Sequence, residues 1–366
     1  MLITVAHRKI ERMMTTFRRK ILKHIVIWIL FLILIAACSD HSTPVPATPS
    51  LPGPPTEALN GLSDENFATI KSLEKVDDYP LYIMHYHGGY NYPKIELSWP
   101  QESDFACSLF AALSKQGDMF YGRNFDWDFS PALLLFTDPP DGYASVSMVD
   151  LTFLGISPDA ATSLNDLPLA ERTALLTAPS MPFDGMNEYG LTIAMAAVPY
   201  SGQSDAGDAP SKPTIGSIGI IREVLDHARD VDEAVALFKQ YNIDFSGGPP
   251  IHYLIADTSG KAVLLEIYQG ELVILTNEDP WHLATNHLRC VARGDGGCQR
   301  YRTLSERLSA TNGHMDERTA LLLLSDVAQT GTQWSIAYNM TSGDVSVVIG
   351  QAYETVFRFY LDRVSP

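Results

Sequence analysis

Cys107, Arg123 and Asp126 place a thiol, a guanidinium and a carboxylate at offsets 0, +16 and +19 along the chain. The thiolate is the nucleophilic form of cysteine, and a neighbouring cation favours it. The set is therefore a candidate for covalent catalysis through sulfur, provided the chain brings the three groups together. The sequence between them supplies a way. Cys107-Ser108-Leu109-Phe110-Ala111-Ala112-Leu113 is an apolar run, residues 114–118 are polar, and Met119-Phe120-Tyr121 opens a second run. That pattern reads as two short antiparallel strands joined by a turn. A buried structural cysteine beside an Arg–Asp ion pair is the plain alternative.

The elements around this hairpin follow from periodicity. Residues 64–73 read as a helix and 79–86 as an apolar strand-like stretch. Residues 107–113, 119–125, 132–136 and 143–151 read as strands, 167–176 as a helix and 191–198 as a strand. Residues 215–241 show helical spacing in two pieces, with Ile220, Val224 and Leu225, then Val235, Leu237 and Phe238, on apolar faces. Strands at 252–256, 262–268 and 272–275 follow, then a short strand ending at Thr285-Asn286-His287. Helices at 301–308 and 317–327 precede strands at 332–339, 345–349 and 356–361. Runs of antiparallel strands with helices grouped between them predict an α+β fold with helices packed on antiparallel sheets. No internal repeat is visible.

The N-terminal residues read as a leader. Arg18-Arg19-Lys20 and Lys23 form a basic flank, residues 25–37 are uninterruptedly apolar, and the run ends Ala36-Ala37-Cys38. The apolar stretch is short for a bilayer span and right for a signal-peptide core. Small residues before a cysteine resemble a bacterial lipoprotein signal, with Cys38 lipidated; an uncleaved anchor is the alternative. Residues 39–56 are rich in proline and read as an extended tether. The expected organisation is a signal peptide at 1–37, a lipidated cysteine and tether at 38–56, an N-terminal segment at 57–106 and a catalytic domain at 107–366. The formal net charge of −17 includes the basic leader, so the exported part is more acidic still. Such a surface repels nucleic acid and leaves membrane attachment to the lipid. The expected location is the bacterial cell envelope.

Four cysteines are present: Cys38, Cys107, Cys290 and Cys298. Cys290 and Cys298 flank a glycine-rich loop, and an exported protein permits a disulfide between them; two free thiols are the alternative. Cys107 is then left over, and an odd cysteine in an exported protein points to a reactive thiol.

Four separated segments carry a resemblance. They are Cys107-Ser108 with Gly122-Arg123-Asn124-Phe125-Asp126, then Asp184-Gly185-Met186-Asn187-Glu188-Tyr189-Gly190-Leu191, then Leu283-Ala284-Thr285-Asn286-His287, and last Gln299-Arg300-Tyr301. In this order they resemble the choloylglycine hydrolase and linear amide C–N hydrolase family of N-terminal-nucleophile (Ntn) hydrolases, which includes bile salt hydrolases, penicillin V acylases and acid ceramidase-like enzymes. The resemblance runs from Cys107 to about Leu361. It implies a four-layer αββα sandwich, two antiparallel sheets flanked by helices. It also implies self-cleavage between Ala106 and Cys107, after which the new α-amine serves as general base. The roles implied are Cys107 as nucleophile forming a thioester, Arg123 favouring the thiolate and placing substrate, and Asp126 orienting the α-ammonium. Asn286 would supply an oxyanion donor, Asn187 a second one, and Arg300 would complete the charge network around Asp126. No cofactor or metal is implied. The partner is a small N-acyl amide.

Four other readings compete. A metal hydrolase would draw on His85, His87, His282 and His287, but no carboxylate or cysteine spacing completes a zinc set. A serine hydrolase lacks its Gly-x-Ser-x-Gly. An acyltransferase of the same fold, or a lipoprotein that keeps the fold only to bind, stays open. The substrate group is read from Trp127, Phe129, Leu133 to Phe136, Tyr143 and Tyr200, which suit an apolar acyl or aryl-acyl group or equally belong to the core. Residues 57–106 are expected to stay docked on the catalytic part, with 79–86 as the docking element.

Overall fold

The computed structural model describes residues 62–90, 106–198, 209, 211–246, 248–292 and 294–364. All lie in the unit from Pro54 to Pro366. The expected leader, Cys38, the tether and Tyr200 fall outside the described residues. Among the described residues no helix is long and apolar enough to cross a membrane.

The first described helix, α1 (Asp64–Lys71), starts where the Ser63 hydroxyl accepts the Asn66 N–H. It leads into β1 (Glu74–Asp77) and β2 (Leu81–Tyr86). The predicted hairpin follows as β3 (Ala106–Ala112) and β4 (Phe120–Asp126), antiparallel, with Cys107 opposite Phe125 and Leu109 opposite Arg123. β4 is buried along its whole length although it carries Arg123, Asn124 and Asp126. A strand buried on both faces is normally apolar, so three polar side chains there need partners. Gly122 is required at its position: a Cβ would meet the Phe110 ring at 2.2 Å.

The remaining elements are β5 (Ala132–Thr137), β6 (Ser145–Asp150), β7 (Asp184–Asn187), β8 (Thr192–Ala197), β9 (Thr214–Gly216), α2 (Gly219–His227), α3 (Val231–Gln240) and β10 (Asn242–Asp244). Then come β11 (Ile251–Ala256), β12 (Ala262–Tyr268), β13 (Glu271–Thr276), β14 (Trp281–Ala284), α4 (Gln299–Thr311) and α5 (Glu317–Asp326). Strands β15 (Thr332–Asn339), β16 (Asp344–Ile349) and β17 (Phe357–Tyr360) close the chain. The segment expected as a helix at 167–176 is a 3-10 helix over Leu169–Ser180. Thr173 and Thr177 hydroxyls there bond back to the carbonyls of Ala170 and Ala174, a competition that weakens regular α-helix.

Among the described residues one large sheet has nine strands in the order β1-β2-β5-β6-β7-β8-β11-β12-β13, a second has six in the order β14-β3-β4-β15-β16-β17, and β9 and β10 form a separate two-stranded pair. α2 and α3 cover the outer face of the first, α4 and α5 that of the second, and the sheets meet through β3, β8 and β11. This is the four-layer αββα sandwich. Two pairings among the described residues depart from the antiparallel expectation: β9 runs parallel to β10, and in the large sheet β2 runs parallel to β5, from Leu81 opposite Ala132 to Tyr86 opposite Thr137. A parallel neighbour needs a long crossover, and here the chain crosses through β3 and β4 of the other sheet. Residues 81–86 are thus an integral strand of the large sheet in the intact chain.

Candidate active site

The hairpin register decides where the chemistry sits. Cys107 and Arg123 lie on facing strands, and Arg123 Nη2 is 3.9 Å from Cys107 Sγ. Arg123 is fully buried. Its Nη1 donates to Asp184 Oδ2 on β7 of the opposite sheet, in an ion pair with both side chains at most 1% exposed. Asp184 Oδ1 accepts from the Tyr338 hydroxyl at 2.5 Å, and the guanidinium lies 4.9 Å over the Phe125 ring. The charge of Arg123 is therefore largely answered by Asp184. Arg123 thus reaches the Cys107 sulfur while sharing its charge with Asp184. Burial pushes the Cys107 thiol above its ordinary range, and Arg123 only partly opposes it.

Asp126, at the end of β4, faces Ala106 across the hairpin. Its Oδ1 accepts from Thr332 Oγ1 at 2.5 Å. Its Oδ2 is buried with no hydrogen-bond partner among the described residues, and Arg300 Nη1 stands 4.0 Å away. Burial raises this carboxyl to about 6, against the pull of Thr332, Arg300 and Arg123.

Asn286 follows β14, which pairs along β3 from Trp281 opposite Ala112 to Ala284 opposite Leu109. That pairing delivers Asn286 to the start of β3. Its Oδ1 accepts the Cys107 N–H at 2.7 Å and Arg300 Nη2 at 2.9 Å, while its Nδ2 donates to the Ala197 carbonyl at 2.7 Å. Arg300, in the first turn of α4, donates through Nη1 to the Cys107 carbonyl and, at 3.0 Å, to Ser108 Oγ. Asn286 and Arg300 so grip the backbone on both sides of the Cys107 Cα. Five predicted residues converge here: Cys107, Arg123, Asp126, Asn286 and Arg300.

Asn187 does not join them. Its Nδ2 donates to the carbonyls of Leu225 and Ala228 beside α2, and its Oδ1 accepts from the N–H groups of Tyr189 and Leu191. Its own N–H donates to the Leu191 carbonyl. The reason is strand parity. On β7 successive side chains point to opposite faces, so Asp184 reaches between the sheets while Asn187, three residues on, points outward to the helices. Asp184 is the member of that segment that reaches the site, and a lone acid opening a buried strand is the signal that marks it. Ser108, Thr332 and the Ala197 carbonyl also belong to the site, and nothing local in the sequence marks them.

Cys290 and Cys298 are free thiols, which corrects the expected disulfide. The two sulfurs have separate partners. Cys298 accepts from Thr285 Oγ1 at 3.4 Å. Burial pushes its thiol up, but hydrogen bonds from His287 and Thr285 and the charge of Arg300 overcome this and bring it down to about 6. Cys290 is pushed up to about 12 by burial and by the Glu266 carboxylate. Of the histidines, His85 stacks on Phe136 at 4.9 Å and His282 Nε2 bonds the Leu275 carbonyl. Among the described residues no three His, Cys, Asp or Glu side chains form a metal-ligating group. Leu133, Leu134 and Leu135 are fully buried core. Phe129 is 40% exposed and stands edge-on to Tyr79 at 5.7 Å.

The family model for linear amide C–N hydrolases, choloylglycine hydrolase family, matches residues 107–289. A mutant of conjugated bile acid hydrolase from Clostridium perfringens has a similar fold, with a TM-score of 0.51 at 16% identity over 70% of this chain and 92% of that one. Penicillin V acylase from Agrobacterium tumefaciens gives a TM-score of 0.48 at 15% identity over 70% of this chain and 87% of that one. An uncharacterized protein of Paramecium bursaria Chlorella virus 1 is 34% identical over 111 residues, 28% of this chain and 38% of the relative's length. With the matched span opening at Cys107 and including Arg123, Asp126 and Asn286, this chain belongs to the linear amide C–N hydrolases, choloylglycine hydrolase family.

Proposed function

We propose that the protein hydrolyses the amide bond of a small N-acyl substrate with Cys107 as an N-terminal nucleophile, after cutting its own chain between Ala106 and Cys107. One observation carries this reading: Asn286 and Arg300 hold the backbone N–H and carbonyl of Cys107, beyond any need of its thiol alone. A nucleophile that becomes a chain terminus has such a need, because its α-amine must be aimed. Asp126, across the hairpin from Ala106, supports the same reading: its Oδ2 accepts no hydrogen bond from the described residues, with Arg300 4.0 Å away, and an α-ammonium there would give that buried carboxylate a charged hydrogen-bond donor.

In the self-cleavage step Cys107 Sγ attacks the Ala106 carbonyl carbon and the Ala106–Cys107 C–N bond breaks. The acyl group passes from nitrogen to sulfur, and the nitrogen takes the thiol proton. Water then hydrolyses the thioester, leaving a carboxylate on Ala106 and a free α-amine and thiol on Cys107. An α-amine ordinarily titrates at about 7.7–8.0, which suits a general base at neutral pH. It takes the Cys107 proton as sulfur attacks the substrate carbonyl, and returns it to the departing amine. The thioester is hydrolysed by a second water. The Asn286 Nδ2, with one N–H on Ala197, offers the other to the oxyanion; losing such a donor costs roughly 3 kcal/mol. Arg123 steadies the thiolate once formed, within the limit that Asp184 sets.

Acyl transfer differs only in the group that accepts the thioester acyl. The leader reading places the enzyme in the cell envelope on a Cys38 lipid, with 62–90 holding the catalytic part through the β2–β5 pairing after cleavage. Release of the 107–366 fragment from membranes by high salt would count against that attachment. The activity itself is tested by a panel of N-acyl amides assayed for released amine. Wild type should release amine and Cys107→Ala should not. Undiminished turnover by the alanine variant refutes the thiol mechanism.

A further inference from the structure

Toward one edge of the large sheet lies a buried hydrogen-bonded set the mechanism above does not use. His252 on β11 and Glu266 on β12 are both fully buried. His252 Nδ1 is 3.1 Å from Glu266 Oε1. The carboxylate also accepts two backbone N–H groups from outside its sheet: Arg289 to Oε1 at 2.7 Å and Cys290 to Oε2 at 2.8 Å. Burial pushes the Glu266 carboxyl up, but His252 and these N–H groups outweigh it and hold the group down at about 2. It is a carboxylate at neutral pH, and an acceptor only.

A buried carboxylate is expensive unless every oxygen is bonded. Apart from His252, the hydrogen bonds found on Glu266 come from the segment that follows Asn286. That segment leaves the sheet at Ala284, and among the described residues no strand pairing fixes its path to α4. Asn286 is held at its side chain by Cys107, Arg300 and Ala197. Its backbone course is set three and four residues on, where two consecutive N–H groups close on one carboxylate. β11 pairs with β8, His252 opposite Ala196, so the same pair sits one residue from the Ala197 carbonyl that receives Asn286 Nδ2.

We infer that Glu266, oriented by His252, is a positioning residue that fixes the 286–290 segment and so aims Asn286 at the reacting carbonyl. The inference rests on the hydrolytic reading for the role of Asn286, but its geometric content can be tested without activity. Glu266→Gln keeps the size and turns one acceptor into a donor facing a backbone N–H. In protein expressed from the whole sequence it should lower kcat by about tenfold to a hundredfold, the scale of a small misplacement of a catalytic group, with KM close to wild type. In the Asn286→Ala background, measured by single turnover, the same change should have little further effect, because the two act through one atom group. Backbone deuterium exchange should rise over 286–292 and stay unchanged in β11 and β12. If Glu266→Gln does not fold, Glu266→Asp, which keeps the charge but falls short of the loop, should give the same kinetic split. An unchanged kcat, an equal fold-loss with and without Asn286, or an exchange rise spread through the sheet each overturns the inference. A wild-type chain that hydrolyses no N-acyl amide defeats the hydrolytic reading alone, and the exchange pattern over 286–292 then decides this one.

Discussion

Cys107, at the start of β3, and Cys298, at the head of α4 two residues before Arg300, have opposite surroundings. Cys107 is 5% exposed, lies 3.9 Å from a guanidinium already paired with Asp184, and has its thiol pushed up by burial. Cys298 is half-buried at the head of α4, accepts from Thr285, and has its thiol held down to about 6. Judged by acidity alone, Cys298 would be taken for the nucleophile. Yet Cys107 is where Asn286 and Arg300 hold the backbone and where Asp126 waits across the hairpin. On the proposed reading the contrast teaches that the nucleophile is not prepared by acidifying a thiol: burial pushes Cys107 up, while a carboxylate and an amide stand by its backbone nitrogen.

The largest effect should break the comparison outright if it is wrong. Cys107→Ala should abolish both chain cleavage and amine release, a loss of at least about a thousandfold, while Cys298→Ala keeps kcat near wild type. Turnover lost to Cys298→Ala and spared by Cys107→Ala would reverse the assignment. Next comes Asp184→Asn, which strips a buried arginine of its counter-charge. It should destabilise the fold by about 3–5 kcal/mol, read by denaturant melting. It should also speed Cys107 alkylation at neutral pH, since Arg123 is then free to favour the thiolate. A stable variant with unchanged labelling would remove Asp184 from the account.

A pH effect follows from Asp126. Its folded value of about 6 lies above the 3.8 ordinary for an aspartate, so between those values the folded chain binds more protons than the unfolded one. Stability should fall as pH rises from about 4 to 6, by up to about 3 kcal/mol. Cys107→Ala, which cannot cleave, should show this slope, and Asp126→Asn in the same background should lose it. The smallest effect is in labelling. In the continuous chain at pH 7, iodoacetamide should modify Cys298 ahead of Cys107, and Cys298 labelling should drop away below pH 6. Mass spectrometry of the two peptides reads both rates, and equal rates would erase the contrast.

Much of this is legible in residues and spacing. The β3–β4 hairpin follows from two apolar runs and a polar turn, whereas the convergence of Cys107, Arg123, Asp126, Asn286 and Arg300 is implied by the resemblance that the four ordered segments carry. Asn187 misleads because a matching segment does not reveal which face of a strand each residue takes, and Asp184 escapes notice for the same reason. The disulfide fails because the spacing of Cys290 and Cys298 says nothing of where each sulfur points. The reversal of the two thiols rests on burial and on the Arg123–Asp184 contact between sheets, neither of which is a local property. The parallel β2–β5 pairing depends on a register across the whole hairpin. The Glu266 clamp likewise joins residues that no motif links.

The central claim is that Cys107 becomes a chain terminus before it catalyses. Intact-mass and N-terminal sequencing of the purified, active protein tests it most directly. The account predicts a 107–366 fragment beginning at Cys107, absent from Cys107→Ala. A fully active sample whose chain runs unbroken through Ala106 and Cys107 would contradict it.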